Sequence, residues 1–323
     1  MLRRSRLFPP GISNRLLFIS LALALAASLF FISFFSPPSN FPRGIVVTVS
    51  EGSSIAEIAS LFAEKHLVRS PQALQSLLRF TNSVVVAGDY FFPQPGNVIA
   101  IAHRLANGDY GIAPIKVTIP EGATAYEIAN LIAQQILDFD IKTFIKQAQP
   151  QEGYLFPDTY YFQPTWNIDR IIETLTKQFQ TAIKPLTPLI DDSGRTLEQV
   201  VIMASLLERE ARTTDSRRLI AGILWKRLDA GMPLQVDAVF PYIIGKNTFE
   251  LSRLDLATSS PYNTYRYRGL PIGPIANPGL AALTATLTPI ESDYWFYLSD
   301  RSGTFHYAVD YAEHKRNKAK YLP

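Results

Sequence analysis

Val47-Thr48-Val49-Ser50-Glu51-Gly52, with Glu57-Ile58-Ala59 and Leu61 behind it, returns 70 residues later as Val117-Thr118-Ile119-Pro120-Glu121-Gly122, followed by Glu127-Ile128-Ala129 and Leu131. Each copy reads as a short alternating strand, a glycine turn and an amphipathic helix. Ile55, Ile58, Ala59 and Phe62 share one face of the first helix, and Ala125, Ile128, Ala129 and Ile132 share one face of the second. Two short copies predict paired α+β units rather than a solenoid, which needs several stacked repeats.

The strand–turn–helix pattern of the copies resembles LysM-type modules, which bind glycans containing N-acetylglucosamine. A LysM-like α+β subdomain is therefore expected over 44–150. A structural duplication that only positions the C-terminal half of the chain is the competing reading. Tyr90, Phe91 and Phe92 would offer stacking faces for sugars or fill the core.

Upstream of the repeat, Leu16 to Phe35 is an uncharged run of about the length that crosses a hydrocarbon core as a helix. Arg3, Arg4, Arg6 and Arg15 precede it and only Arg43 follows closely. The positive-inside rule then predicts a cytoplasmic N-terminus over 1–15, a single transmembrane helix over 16–36 and a linker over 37–43, with the remaining chain extracytoplasmic. A cleaved signal peptide is the alternative, since Ala22, Ala24, Ala26 and Ala27 are small, but the run continues to Phe34 and Phe35, long for a signal core. The net charge of +3 over 323 residues does not point to nucleic acid. With no cysteine, disulfides and thiolate metal sites are excluded.

From Glu152 onward the texture changes to the aromatic stretch Gly153-Tyr154-Leu155-Phe156-Pro157-Asp158-Thr159-Tyr160-Tyr161-Phe162. Helical spacing follows over 168–183, 196–212 and 216–230, then loops rich in proline and glycine over 231–279. Tyr294–Leu298 and His306–Val309 read as strands paired across Ser302-Gly303, with a closing polar helix over Glu313–Tyr321. A mixed α+β catalytic domain is expected over 151–323, with helix predominating around the site.

The four histidines are scattered without zinc-binding spacing, and no nucleophile elbow, phosphate loop or dinucleotide fingerprint occurs. Carboxylate chemistry remains. In Met203-Ala204-Ser205-Leu206-Leu207-Glu208-Arg209-Glu210-Ala211-Arg212, two glutamates two residues apart lie about 200° apart around a helix and cannot share one cleft. Glu208 has Arg212 four residues ahead, the arrangement of a solvated pair. Glu210 has Leu206 and Leu207 behind it and Thr213 and Thr214 ahead, an apolar flank that raises the pKa of a carboxyl as a general acid requires.

From Glu152 to the C-terminus the chain resembles the endolytic murein transglycosylases of the MltG, or YceG-like, family. The resemblance rests on Glu152 to Tyr160, Met203-Ala204-Ser205 leading to Glu208-Arg209-Glu210, Leu234-Gln235-Val236-Asp237, Ser259 with Pro261-Tyr262-Asn263-Thr264-Tyr265, and Gly269 to Gly279. Five motifs in family order between Glu152 and Gly279 are highly specific; Arg209, Val236, Ala238 and Lys315 depart from common family choices, and none of them replaces Glu210. The resemblance implies that Glu210, second glutamate of the Glu-x-Glu motif, is catalytic. It also implies cleavage of the β-1,4 bond between N-acetylmuramic acid and N-acetylglucosamine to a 1,6-anhydromuramoyl end, terminating nascent strands at the cell inner membrane. Tyr154, Gln235, Asp237, Tyr262, Asn263, Tyr265 and Asn277 are the expected substrate contacts, supplying amides and flat aromatic faces, and Asp237 is also a candidate second carboxylate. Pro271, Pro274 and Pro278 with Gly269, Gly273 and Gly279 stiffen the loop wall. No metal or organic cofactor is implied. The expected partners are peptidoglycan strands and a peptidoglycan synthase. A lysozyme-like muramidase using Glu210 with Asp237, and a non-catalytic glycan-binding scaffold, stand as alternatives.

Overall fold

The structure, a computed structural model, describes residues 14–81 and 84–322, with side chains at 17–32 and from 34 onward. It divides into two compact units, 1–114 and 115–323.

The first unit contains α1 (Asn14–Phe35), β1 (Ile45–Val49), α2 (Ile55–Glu64), α3 (Pro71–Phe80), β2 (Gly88–Phe92) and α4 (Val98–Asn107). β1 and β2 pair antiparallel with Val47 opposite Tyr90, so the first copy closes as a βααβ unit. Tyr90 and Phe92 are core, packed with Phe62, Leu74, Leu78 and Leu105, which settles these two aromatics as structural. The expected membrane crossing coincides with α1, whose described side chains over 17–32 and at 34 are exposed. Among the described residues no helix is long and apolar enough to cross a membrane. Of the expected cytoplasmic segment, residues 1–13 lie outside the described residues.

The second unit opens with the second copy: β3 (Ile115–Thr118), α5 (Ala125–Ala133), α6 (Ile141–Ala148) and β4 (Thr159–Phe162). β3 pairs antiparallel with β4, Val117 opposite Tyr160. The expected boundary at 150/151 therefore does not mark the compact units. The aromatic stretch after Glu152 supplies the last strand of the second βααβ unit, whose core joins Ile128, Phe144 and Phe162 to Leu175 beyond it.

The repeat has a local physical cause. Gly52 and Gly122 turn with φ of +80° and +78°, where only glycine fits without strain. Ser54 with Glu57, and Thr124 with Glu127, form capping boxes that satisfy the first orphan amides of α2 and α5. The recurring glutamates are helix starts.

The rest of the second unit is built on α7 (Ile168–Ile183), α8 (Thr187–Ser193), α9 (Leu197–Glu210), α10 (Thr214–Asp229), α11 (Val239–Ile244), α12 (Arg253–Leu256), α13 (Leu280–Leu287), the hairpin β5 (Phe296–Ser299) and β6 (Phe305–Ala308), and α14 (Tyr311–Tyr321). α9 is the central element. Every residue from Val200 to Leu207 is buried, the signature of a helix enclosed on all sides, and α10 and α13 pack against it. Gly222 lets α10 approach closely, since a Cβ there would lie 2.1 Å from the Ile290 carbonyl oxygen. The α+β class is as expected.

Candidate active site

α9 stops at Glu210. Ala211 turns extended with φ −129° and ψ 142°, so Arg212 does not lie one helical turn ahead of Glu208. The expected solvated Glu208–Arg212 pair is therefore replaced by a buried one. Arg217, near the start of α10, places Nη2 2.5 Å from Glu208 Oε1 and donates from Nε to the Ala211 carbonyl at 2.8 Å. The Gly279 amide donates to the other oxygen of Glu208 at 2.9 Å. One guanidinium thus fixes the last turn of α9 and the bend that follows it.

That bend presents Glu210. Its Oε1 accepts the Ala238 amide at 3.2 Å. Burial is the largest influence on the carboxyl and the negative Asp237 the next; together they outweigh the Ala238 amide and raise the pKa to about 7. Asp237 is itself pushed up by burial, opposed by the Tyr265 hydroxyl that donates to its Oδ1 and by the charge of Lys318. Tyr297, from β5, has a buried hydroxyl that, with the Ala238 amide, favours the ionised Glu210 carboxyl.

A groove of about 530 Å³ is lined by Arg209 and Ala238, the chain neighbour and the amide partner of Glu210. Tyr126, Glu127 and Glu152 line one side, Ala238 and Tyr242 the other, and Arg209 reaches across to bond Glu127 at 2.8 Å. Glu210 sits one hydrogen bond behind Ala238, next in sequence to Arg209. The arrangement sets a carboxyl whose pKa is raised to about 7 one hydrogen bond from a groove wall, which suits proton transfer.

The sequence profile of the YceG-like family matches residues 47–320. The chain belongs to the YceG-like family. It is 32% identical to a protein named endolytic murein transglycosylase from Bacillus subtilis, over 85% of this chain and 84% of that one. It is 28% identical to a protein of the same name from Streptococcus pneumoniae, over 88% of this chain but 59% of that longer one. The 2.6 Å crystal structure of a yceG-like protein from Listeria monocytogenes is similar, with TM-score 0.57 and 28% identity over 85% of this chain and 99% of that one.

The YceG-like motifs divide into two groups in space. Gln235, Asp237, Tyr262 and Tyr265 belong with Glu210. Thr264 holds them: its hydroxyl accepts the Val236 amide at 2.9 Å and its carbonyl accepts the Gln235 amide at 3.1 Å, zipping the two motifs together. Gln235 is exposed and held at φ +53°, a strained setting for a side chain with a Cβ and one typical of functional positions. Tyr262 is half-buried against Tyr242 of the groove wall, ring centroids 5.1 Å apart.

The other expected contacts turn out to be structural. Asn277 is fully buried; it donates to Glu152 at 2.7 Å and to the Ala123 carbonyl at 2.8 Å, and accepts the Leu155 amide at 2.8 Å. It ties the loop before α13 to the second βααβ unit. Asn263, 1% exposed, spends its side chain on the Leu256 and Thr258 carbonyls and the Tyr265 amide. Tyr154 packs edge-on against Phe179 and lies near Glu198, about 18 Å along α9 from Glu210. Buried loop carbonyls need donors, and Asn263 and Asn277 meet that need.

Sequence reasoning missed Arg217, Thr264 and Tyr297. Arg217 had no local signal, because it stands beside Arg218 in the polar first turn of α10 and its partner Glu208 lies on another helix. Tyr297 had none, since an aromatic in an apolar strand reads as packing alone.

Proposed function

We propose that this chain is an endolytic peptidoglycan lytic transglycosylase in which Glu210 is both acid and base. The single observation that carries the residue assignment is the Glu210 carboxyl, raised to about 7 and bonded to the groove-lining Ala238 amide. The reaction class rests on the family and on relatives whose names specify endolytic murein cleavage.

With Oε1 held by Ala238, Oε2 carries the proton to the glycosidic oxygen as positive charge grows at the muramoyl C1. The carboxylate then takes the proton of the same sugar's C6 hydroxyl, whose oxygen attacks C1 and closes the 1,6-anhydro ring. The attack is intramolecular, so holding the ring in place favours it over water. Gln235, Tyr262 and Tyr265 are the proposed sugar contacts beside the groove wall of Tyr126 and Tyr242. The second βααβ unit, LysM-like in its order of elements, supplies the Tyr126 and Glu127 wall of that groove.

The exposed apolar side chains of α1 support a single-pass tether to the cell membrane with the enzyme on the outer side. An enzyme so tethered reaches only strands near the bilayer, where a peptidoglycan synthase extrudes them, and so terminates nascent glycan.

Asp237 beside Glu210 favours a second reading, a two-carboxylate muramidase. The two are separated by mass spectrometry of the ends released from purified glycan strands. Anhydro ends support the transglycosylase, and reducing ends lost in both Glu210→Gln and Asp237→Asn support the hydrolase.

A further inference from the structure

Among the described residues, the charged groups that line the groove are Glu127, Glu152 and Arg209. Both carboxylates are engaged by the protein. Glu127 Oε2 accepts the Thr124 amide at 2.7 Å and closes the capping box of α5. Glu152 is buried and accepts the Ala125 amide at 3.1 Å and the Asn277 side chain at 2.7 Å. Arg209 differs. Its Nη2 donates to Glu127 Oε2 at 2.8 Å, and its stem lies against the Gly122 turn, where an added Cβ would stand 3.8 Å from Cδ. A guanidinium carries five N–H donors, and 35% of the Arg209 side chain is exposed, so donors not used on Glu127 open onto the groove.

We propose that Arg209 is a specificity-determining residue that recognises a carboxylate on the substituent of the sugar whose C1 is attacked. This rests on the reading of Glu210 as acid and base at a muramoyl C1. In peptidoglycan that sugar bears, through the lactyl group at C3, a peptide with free carboxylates. Arg209 and Glu210 are the last two residues of α9, and both meet the same groove, Glu210 through the Ala238 amide. A sugar placed at Glu210 carries its substituent into the groove that Arg209 lines.

The sign of the ligand follows from which groups are already matched. An ammonium group would need a carboxylate without a partner, but Glu127 holds Arg209 and Glu152 is enclosed by two donors. Glu208, the acid on the other side of Arg209 in sequence, is paired with Arg217 and the Gly279 amide. The donors left over belong to the guanidinium, whose planar fork suits a carboxylate. Glu127 fixes one edge of that fork and is itself fixed by the helix cap. A side chain held in this way loses less freedom when a ligand arrives.

The test uses the full chain carrying Glu210→Gln, so that strands are bound without being cut. The probes are purified glycan strands with their peptides intact, and the same strands with the peptide carboxylates converted to amides. With Arg209 present, amidation should weaken binding about fivefold, the upper end for an ion pair that water reaches, and high salt should shrink the difference. With Arg209→Gln added, the two strands should bind alike. Glu127→Gln weakens the ion pair but keeps Arg209 and a capping side chain, so it should retain the preference. That arm separates recognition of the ligand from the structural effect of losing the pair. Equal binding of both strands by the chain with Arg209, an unchanged preference in Arg209→Gln, or a preference lost with Glu127→Gln would overturn the proposal. Fragments released by Glu210→Gln would instead sink the catalytic reading, so the two failures are distinguishable.

Discussion

The Arg217 guanidinium meets the Glu208 carboxylate at 2.5 Å and bonds the Ala211 carbonyl with its Nε, spanning the residue between them that carries the candidate proton. Both partners are nearly enclosed, with 9% and 4% of their side chains exposed. Glu208 and Glu210 are thus divided by function: the first anchors the end of α9 and the second is presented by it. Removing one partner of a buried pair strands the other charge, at a cost of about 3–5 kcal/mol. Arg217→Met should therefore lower the unfolding midpoint in urea markedly and reduce activity, while residual activity keeps the wild-type pH profile. A shifted profile would mean that Arg217 acts on the proton itself.

The pH dependence of activity follows from the protonation of Glu210. The free enzyme needs the acid form, and that form disappears as pH rises through about 7. Steady-state kcat/KM on glycan strands should fall about tenfold per pH unit above that point. A plateau extending past pH 9 would contradict the assignment.

Glu152 gives a separate prediction for stability. Burial raises its pKa from the ordinary 4.5 to about 7, against the Ala125 amide and the Asn277 side chain. The folded protein therefore holds this proton more tightly than the unfolded chain does. Its contribution is intact below about 4.5, is lost progressively as pH rises to about 7, and is absent above. Urea denaturation across this window should show stability declining with pH, and Glu152→Gln should flatten the decline. An equal slope in the variant would show that the burial has no such consequence.

Asn277 and Gln235 separate structure from binding. Asn277→Ala leaves the Glu152 carboxyl, the Leu155 amide and the Ala123 carbonyl short of partners, and should destabilise by about 2–4 kcal/mol with little effect on KM. Exposed Gln235→Ala should raise KM several-fold with an unchanged melting temperature. The reverse pattern would restore Asn277 as a sugar contact.

These contrasts mark what the sequence could disclose. The repeat was legible because Gly52, Gly122 and the two capping boxes act locally, within a few residues. So was α9, through its apolar run. The hidden features depend on distant pairing. The Glu208 partner could not be foreseen because the helix was read to 212 and ends at 210, which removes Arg212 from reach. Asn263 and Asn277 look like sugar ligands in sequence, since an amide suits an acetamido group and a stranded loop carbonyl equally well. The close of the second βααβ unit by β4 crosses 41 residues, beyond any local signal.

The most direct test of the central claim is the end-group assay on purified glycan strands with the wild type and Glu210→Gln. The account predicts 1,6-anhydromuramoyl ends from the wild type and a loss of about a thousandfold in the variant. Reducing ends carrying an added water, or undiminished cleavage by Glu210→Gln, would contradict it.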